Sequence, residues 1–79
     1  MSTEQNVRAL LGTEFGLESE TLAADAPIFS SGLLDSLSSL RLLMALEKQF
    51  GLSISPLDVA LDEVDSIAKI VETVERLQD

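Results

Sequence analysis

Seventy-nine residues, 46% of them hydrophobic, suffice for a single domain with one small core. The chain has no cysteine and no histidine, which excludes disulfides, thiolate metal sites, a cysteine nucleophile and the usual general base, so a self-contained hydrolase would be hard to assemble. A net charge of −9, from 14 carboxylates against 5 Lys and Arg, repels nucleic-acid phosphates and anionic headgroups and favours basic partner surfaces, although such an excess also serves solubility alone.

The N-terminal Ser2-Thr3-Glu4-Gln5 reads as a capping box, with Ser2 as cap and Gln5 reaching back. It is polar and lacks the basic start of a secretory leader, and no later apolar run approaches the length of a bilayer span, so a cytoplasmic chain is expected. Val7, Leu10, Leu11 and Phe15 recur at spacings of three and four. That stripe predicts a first helix over residues 3–15, with Gly16 as its stop.

Residues 16–35 form a long connection in which Leu17, Leu22, Ile28, Phe29, Leu33 and Leu34 follow no clean period. Loops of this length inside small domains tend to be functional, and these apolar residues are expected to hold it against the core. Pro27 biases Ala26 away from helical angles, and Ser30-Ser31-Gly32 reads as a turn.

A second helix is predicted from Ser36 to Phe50, capped by Asp35 and ended by Gly51. Leu37, Leu40, Leu42, Leu43, Met44, Leu46 and Phe50 cover more than half its circumference, which predicts a central helix touched by several neighbours. Leu40 and Met44 read as core; for Leu37, core and partner contact are equally open. Glu47 falls inside the apolar arc, either at its edge or as acceptor of a hydrogen bond from a loop.

Ser55-Pro56-Leu57-Asp58 starts a short third helix, with Ser55 as cap, Pro56 at the first helical position and Asp58 closing the box. Asp62, Glu63 and Asp65 make an acidic linker. A fourth helix starts at Asp65 or Ser66 and carries the stripe Ile67, Ile70, Val71, Val74 and Leu77. The fold class is all-α: one domain over residues 1–79, a small four-helix bundle with a long first loop and a short third helix.

Asp35-Ser36 stands where that loop meets the most apolar helix. A helix start offers unpaired N–H groups and the positive end of the dipole, which suit a serine hydroxyl carrying a phosphate ester. Taken alone, the pair also serves as an ordinary cap and an ordinary first-turn residue. The wider segment Gly32-Leu33-Leu34-Asp35-Ser36-Leu37, with Leu42-Leu43-Met44-Ala45-Leu46-Glu47 and Phe50-Gly51, resembles the attachment segment of acyl and peptidyl carrier proteins. The resemblance spans nearly the whole chain and keeps the family's order of elements. The Gly-Leu-Leu-Asp-Ser form is most similar to D-alanyl carrier proteins and to free-standing carriers of polyketide or nonribosomal peptide pathways.

This resemblance implies a carrier and not an enzyme. Ser36 would hold a covalent 4′-phosphopantetheine, transferred from coenzyme A by a phosphopantetheinyl transferase, and Asp35 would serve recognition by that transferase, helping it hold magnesium. The chain at rest would bind no metal. An adenylating ligase or acyltransferase would load the thiol with an acyl or aminoacyl group, and a downstream synthase or transferase would take it. Leu33, Leu34, Leu37 and Arg41 are the candidate partner contacts. Fatty-acid carriers present acidic residues just after the serine, where this chain has Ser38, Ser39 and Arg41. A secondary-metabolite role is therefore expected, with D-alanyl transfer to the cell wall, or an unmodified helical interaction domain, as alternatives. The span from Met1 to Asp79 without long linkers reads as a discrete, monomeric protein that binds neither nucleic acid nor membrane.

Overall fold

The capping box forms as its residues require. In the computed structural model, which describes residues 2–55, 57 and 59–78, the Gln5 N–H donates to the Ser2 hydroxyl at 3.1 Å and the Ser2 N–H to the Gln5 side-chain oxygen at 3.3 Å. These reciprocal bonds satisfy donors that a helix start leaves unpaired. Helix α1 (Thr3–Phe15) follows, matching the predicted span. It stops at Gly16 (φ 68°), and α2 (Ser38–Phe50) stops at Gly51 (φ 67°), both in the left-handed conformation that crowds any Cβ. Helix α3 (Ile67–Gln78) opens with the Ser66 hydroxyl accepting the Lys69 N–H at 3.1 Å.

The three helices close one core. Leu11 of α1, Leu42 and Leu46 of α2, and Ile67, Ile70 and Val74 of α3 are fully buried within it. Helix α1 packs most extensively on α3. The long loop contributes as expected: Ile28 and Phe29 are buried, and Leu17, Leu22 and Leu34 pack against the cluster. Leu33 is the exception and stays exposed. Among the described residues no helix is long and apolar enough to cross a membrane.

The all-α class holds, but the short third helix expected from Ser55 is not confirmed. Its expected start rested on Pro56 and Asp58, which lie outside the described residues. Among the described residues the segment before α3 contains one 3-10 helix (Leu61–Val64) and no α-helix, so three α-helices are present rather than four. Its apolar residues explain why. Val59 and Val64 are buried while Leu57 and Leu61 are exposed, and that pattern does not repeat at helical spacing. The turn is held instead by polar bonds. The Ala60 N–H donates to the Glu63 carboxylate at 3.2 Å, the buried Thr73 hydroxyl donates to the Glu63 carbonyl at 2.9 Å, and Arg76 pairs with Glu63 at 2.7 Å.

Two side chains fasten the long loop. Arg8, largely buried on α1, donates from Nη1 to the carbonyls of Ser19 (2.5 Å) and Leu22 (2.7 Å), and from Nε to Glu4 at 3.0 Å. The buried Ser19 hydroxyl donates back to the Arg8 carbonyl. Asp65 does the same at the loop's far end. Its Oδ1 accepts three successive N–H groups, from Ile28 (3.2 Å), Phe29 (2.6 Å) and Ser30 (3.0 Å). Its Oδ2 accepts the Ser30 hydroxyl at 2.6 Å, and its carbonyl accepts the Ile28 N–H at 2.7 Å. Loop groups that cannot join a helix ladder thus find partners, as buried backbone requires.

The Ser30 hydroxyl, followed by the N–H groups of Ser30, Phe29 and Ile28, holds the Asp65 carboxyl at about 2, against an ordinary 3.8. A folded value below the ordinary one means the charged form stabilises the fold at neutral pH. That contribution is lost as pH falls from 3.8 toward about 2. A carboxyl-detected NMR titration should place the Asp65 midpoint near the lower value. Urea midpoints should fall more steeply across this window in the wild type than in Asp65→Asn; equal slopes would contradict the assignment.

Candidate functional site

The loop reaches α2 through a hydrogen-bonded turn. The Ser31 hydroxyl donates to the Pro27 carbonyl at 2.6 Å, the Gly32 N–H to the Phe29 carbonyl at 3.1 Å, and the Leu34 N–H to the Ile28 carbonyl at 3.1 Å. Leu34 is half-buried against the core and anchors the end of the turn, while Leu33 points outward.

Asp35 caps the turn that leads into α2, while the N-cap position of the helix itself falls on Leu37, which makes no side-chain cap bond. The Asp35 Oδ1 accepts both the N–H and the hydroxyl of Ser38, each at 3.0 Å. Regular α-helix begins two residues later than predicted, at Ser38 and not Ser36. The first turn is tighter than an α-turn: the Ser38 N–H bonds to the Asp35 carbonyl at 3.1 Å and the Ser39 N–H to the Ser36 carbonyl at 3.2 Å, both three residues back. The Ser39 hydroxyl also donates to the Ser36 carbonyl, at 2.6 Å. The backbone of Ser36 is therefore held from both sides. Its side chain is exposed, and among the described residues no hydrogen bond engages its hydroxyl. A fixed backbone under a free nucleophilic oxygen is what a modifying enzyme needs to find.

The outer face of α2 corrects two expectations. Leu40 (50% exposed) and Met44 (69%) are not core, and Leu37 (77%) is decisively a surface residue. Leu42, Leu43 and Leu46 take the inward positions. Among the described residues nothing covers the opposite face, so the outer part of the apolar arc, from which a central helix with several neighbours was expected, stays in solvent. Arg41 and Lys48 share that outer face by helical spacing, and both are exposed.

Arg41 has a second attachment that its sequence position does not betray. Its Nη2 donates to the Glu14 carbonyl at 2.7 Å, lies 3.6 Å from the Glu14 carboxylate, and its guanidinium sits 5.2 Å from the Phe15 ring centre. Helix α1 has no basic residue in its last turn, and Arg41 supplies that cation from α2. Glu47 resolves in favour of the loop, its carboxylate accepting the Ile54 N–H at 3.1 Å. Arg8, Ser19 and Asp65 were not singled out as loop anchors from sequence. Asp65 stands in an acidic stretch beside a plausible cap, and nothing local signals a partner 35 to 37 residues away.

A chain that presents the Ser36 hydroxyl beside a bare apolar helix face is organised as a handle, to which a group can be attached and against which other proteins can dock. The phosphopantetheine attachment site family matches residues 5–74, and the chain belongs to it. It is 31% identical over 77 residues to an acyl carrier protein of Akkermansia muciniphila, covering 98% of this chain and 94% of the relative. It is 33% identical over 78 residues to a D-alanyl carrier protein of Streptococcus pyogenes serotype M5, covering 99% and 98%. It is 44% identical over 78 residues to lincomycin biosynthesis protein LmbN of Streptomyces lincolnensis, where it covers 98% of this chain but 28% of that longer protein. The chain is a phosphopantetheine carrier protein, and its cofactor is covalently attached 4′-phosphopantetheine. Like acyl and D-alanyl carrier proteins, it is a carrier and not an enzyme.

Exposure of the α2 face sets a stability test. Leu37→Ser and Met44→Ser should each shift unfolding free energy by no more than about 0.5 kcal/mol, as surface substitutions do. Leu46→Ala, at a fully buried position, should cost about 3 kcal/mol. Urea denaturation measures all three, and a Met44→Ser cost close to that of Leu46→Ala would return Met44 to the core.

Proposed function

We propose that Ser36 is the attachment residue and that the chain carries an acyl or aminoacyl group for polyketide or nonribosomal peptide-type secondary metabolism. The observation that carries this reading is the exposed, unengaged Ser36 hydroxyl on a backbone pinned by Asp35 and Ser39. The residues present fit the group. The hydroxyl opens the turn that leads into α2, where the positive end of the helix dipole favours a phosphodiester. The first turn of α2 itself contains no acidic residue to oppose that charge. Of the Asp35 carboxylate, Oδ1 is committed to Ser38, while Oδ2 has no hydrogen-bond partner among the described residues and is open to a cation in the transferase complex. When attached, the arm supplies a terminal thiol that holds cargo as a thioester.

The α2 face supports a view of the partners. Leu37, Leu40 and Met44, continued by Leu33, offer an apolar strip with Arg41 and Lys48 beside it. A phosphopantetheinyl transferase, a loading ligase or acyltransferase, and a downstream synthase would share this strip in turn, through interfaces small enough to release. Apolar contacts are little screened by salt, so docking here does not rest on a row of partner cations. The 44% identity to a lincomycin biosynthesis protein favours secondary metabolism. Similarity to a D-alanyl carrier protein over 98% of that protein's length supports D-alanyl transfer as the second reading.

Incubation with coenzyme A and a promiscuous phosphopantetheinyl transferase should give one phosphopantetheine adduct by intact mass, absent in Ser36→Ala. Folded wild-type protein that gains none would reject the assignment and favour an unmodified interaction domain. With the modified protein and a panel of adenylating ligases, Leu37→Asp should cut loading by at least about tenfold, while raised ionic strength leaves the wild-type rate within about twofold. Efficient loading by a D-alanine ligase alone would transfer the reading to the second pathway.

A further inference from the structure

We propose that Asp65 is a positioning residue for the modification of Ser36, acting through the loop rather than by touching either reactant. This inference rests on the reading of Ser36 as the attachment residue. The connection is an unbroken series of bonds. Asp65 Oδ1 gathers the N–H groups of Ile28, Phe29 and Ser30, and Oδ2 takes the Ser30 hydroxyl. The Ile28 carbonyl in turn accepts the Leu34 N–H at 3.1 Å, and the Ser31 hydroxyl ties the turn to the Pro27 carbonyl at 2.6 Å. Leu34 is followed at once by Asp35, whose carbonyl and carboxylate hold Ser38 on the far side of Ser36.

Three consecutive N–H groups converging on one oxygen leave little freedom to the segment that donates them. Without that oxygen the three donors lose a common acceptor: Ile28 keeps its bond to the Asp65 carbonyl, but Phe29 and Ser30 lose their tie to Asp65 and the turn before Asp35 is less firmly held. The transferase would then meet Ser36 in its productive position for only a fraction of encounters. A binding-competent state populated at fraction f raises the apparent dissociation constant by 1/f, so the loss falls on KM more than on kcat.

Arg8 provides the control. It secures the same loop at Ser19 and Leu22, so its removal also destabilises the domain, but none of its bonds leads on to residues 28–36. The experiment measures transfer from coenzyme A by a promiscuous phosphopantetheinyl transferase, varying carrier concentration, at a temperature where every variant is folded. For Asp65→Ala we expect KM for the carrier to rise at least about tenfold with kcat held within about twofold. Arg8→Met should leave KM within about twofold even if its melting temperature falls as far. Asp65→Asn retains an acceptor for the three N–H groups and should restore KM to within about threefold of wild type. Wild-type KM in Asp65→Ala, or an equal rise in Arg8→Met, would overturn the proposal. If Asp65→Ala fails to fold, Ser30→Ala carries the test, since it removes the hydroxyl donor to Oδ2 and leaves the three N–H bonds in place. A KM rise of about threefold is then expected in Ser30→Ala, and a wild-type value there overturns the proposal. Absence of any adduct on the wild-type protein would sink the Ser36 reading itself, and this inference with it.

Discussion

The carboxylate of Asp65 is the constraint on which the functional half of this domain depends. Loop 16–37 separates α1 from α2 and has no regular structure of its own to spend its polar groups on. Ordering it costs conformational entropy at every residue, and its two most buried apolar residues, Ile28 and Phe29, go inside favourably only if their N–H groups are satisfied as well. One charged acceptor at the entrance to α3 meets that need for three residues in succession. Charge-assisted bonds are the stronger kind, and a carboxylate so fully used stays ionised far into acid, which the depressed Asp65 value reflects.

Rigidity below and freedom above is the working principle of the site. Asp35, Ser38 and Ser39 use hydrogen bonds that hold the Ser36 backbone and leave its hydroxyl to solvent. With Ser36 as the proposed attachment residue, this division would let several enzymes recognise the same oxygen or its arm without remodelling the chain. Attachment through a flexible arm raises the effective concentration of cargo at a docked partner, so each interface can stay modest. Leu37, Leu40 and Met44 would supply apolar area for the proposed contacts, while a net charge of −9 opposes self-association across the exposed strip.

The local features were readable from the chain itself. The Ser2–Gln5 box, the stops at Gly16 and Gly51, the span of α1 and the cap at Asp35 are each set by residues within a few positions of one another, so propensity and spacing suffice. The errors arose where neighbours decide. Leu40 and Met44 lie on an apolar arc wide enough for several partners, but the described residues place no element over that side of α2, and the arc's outer half remains in solvent. Periodicity reports which positions are apolar and not which of them find something to cover them. The segment after Ser55 failed for a related reason. Cap-like residues stand there without a helical stripe behind them, and the next regular element among the described residues is the 3-10 turn Leu61–Val64, tied to α3 through Glu63, Thr73 and Arg76.

Sequence alone therefore determined the all-helical class, the three long helices and the Asp35-Ser36 pair at the threshold of the second, since these follow from short-range spacing and cap chemistry. Tertiary structure alone decided that Arg8 and Asp65 hold the loop, that Arg41 reaches back to complete α1, and that one apolar face of α2 stays bare. Such contacts join residues far apart in the chain, and their formation depends on how the helices pack, which no local pattern encodes.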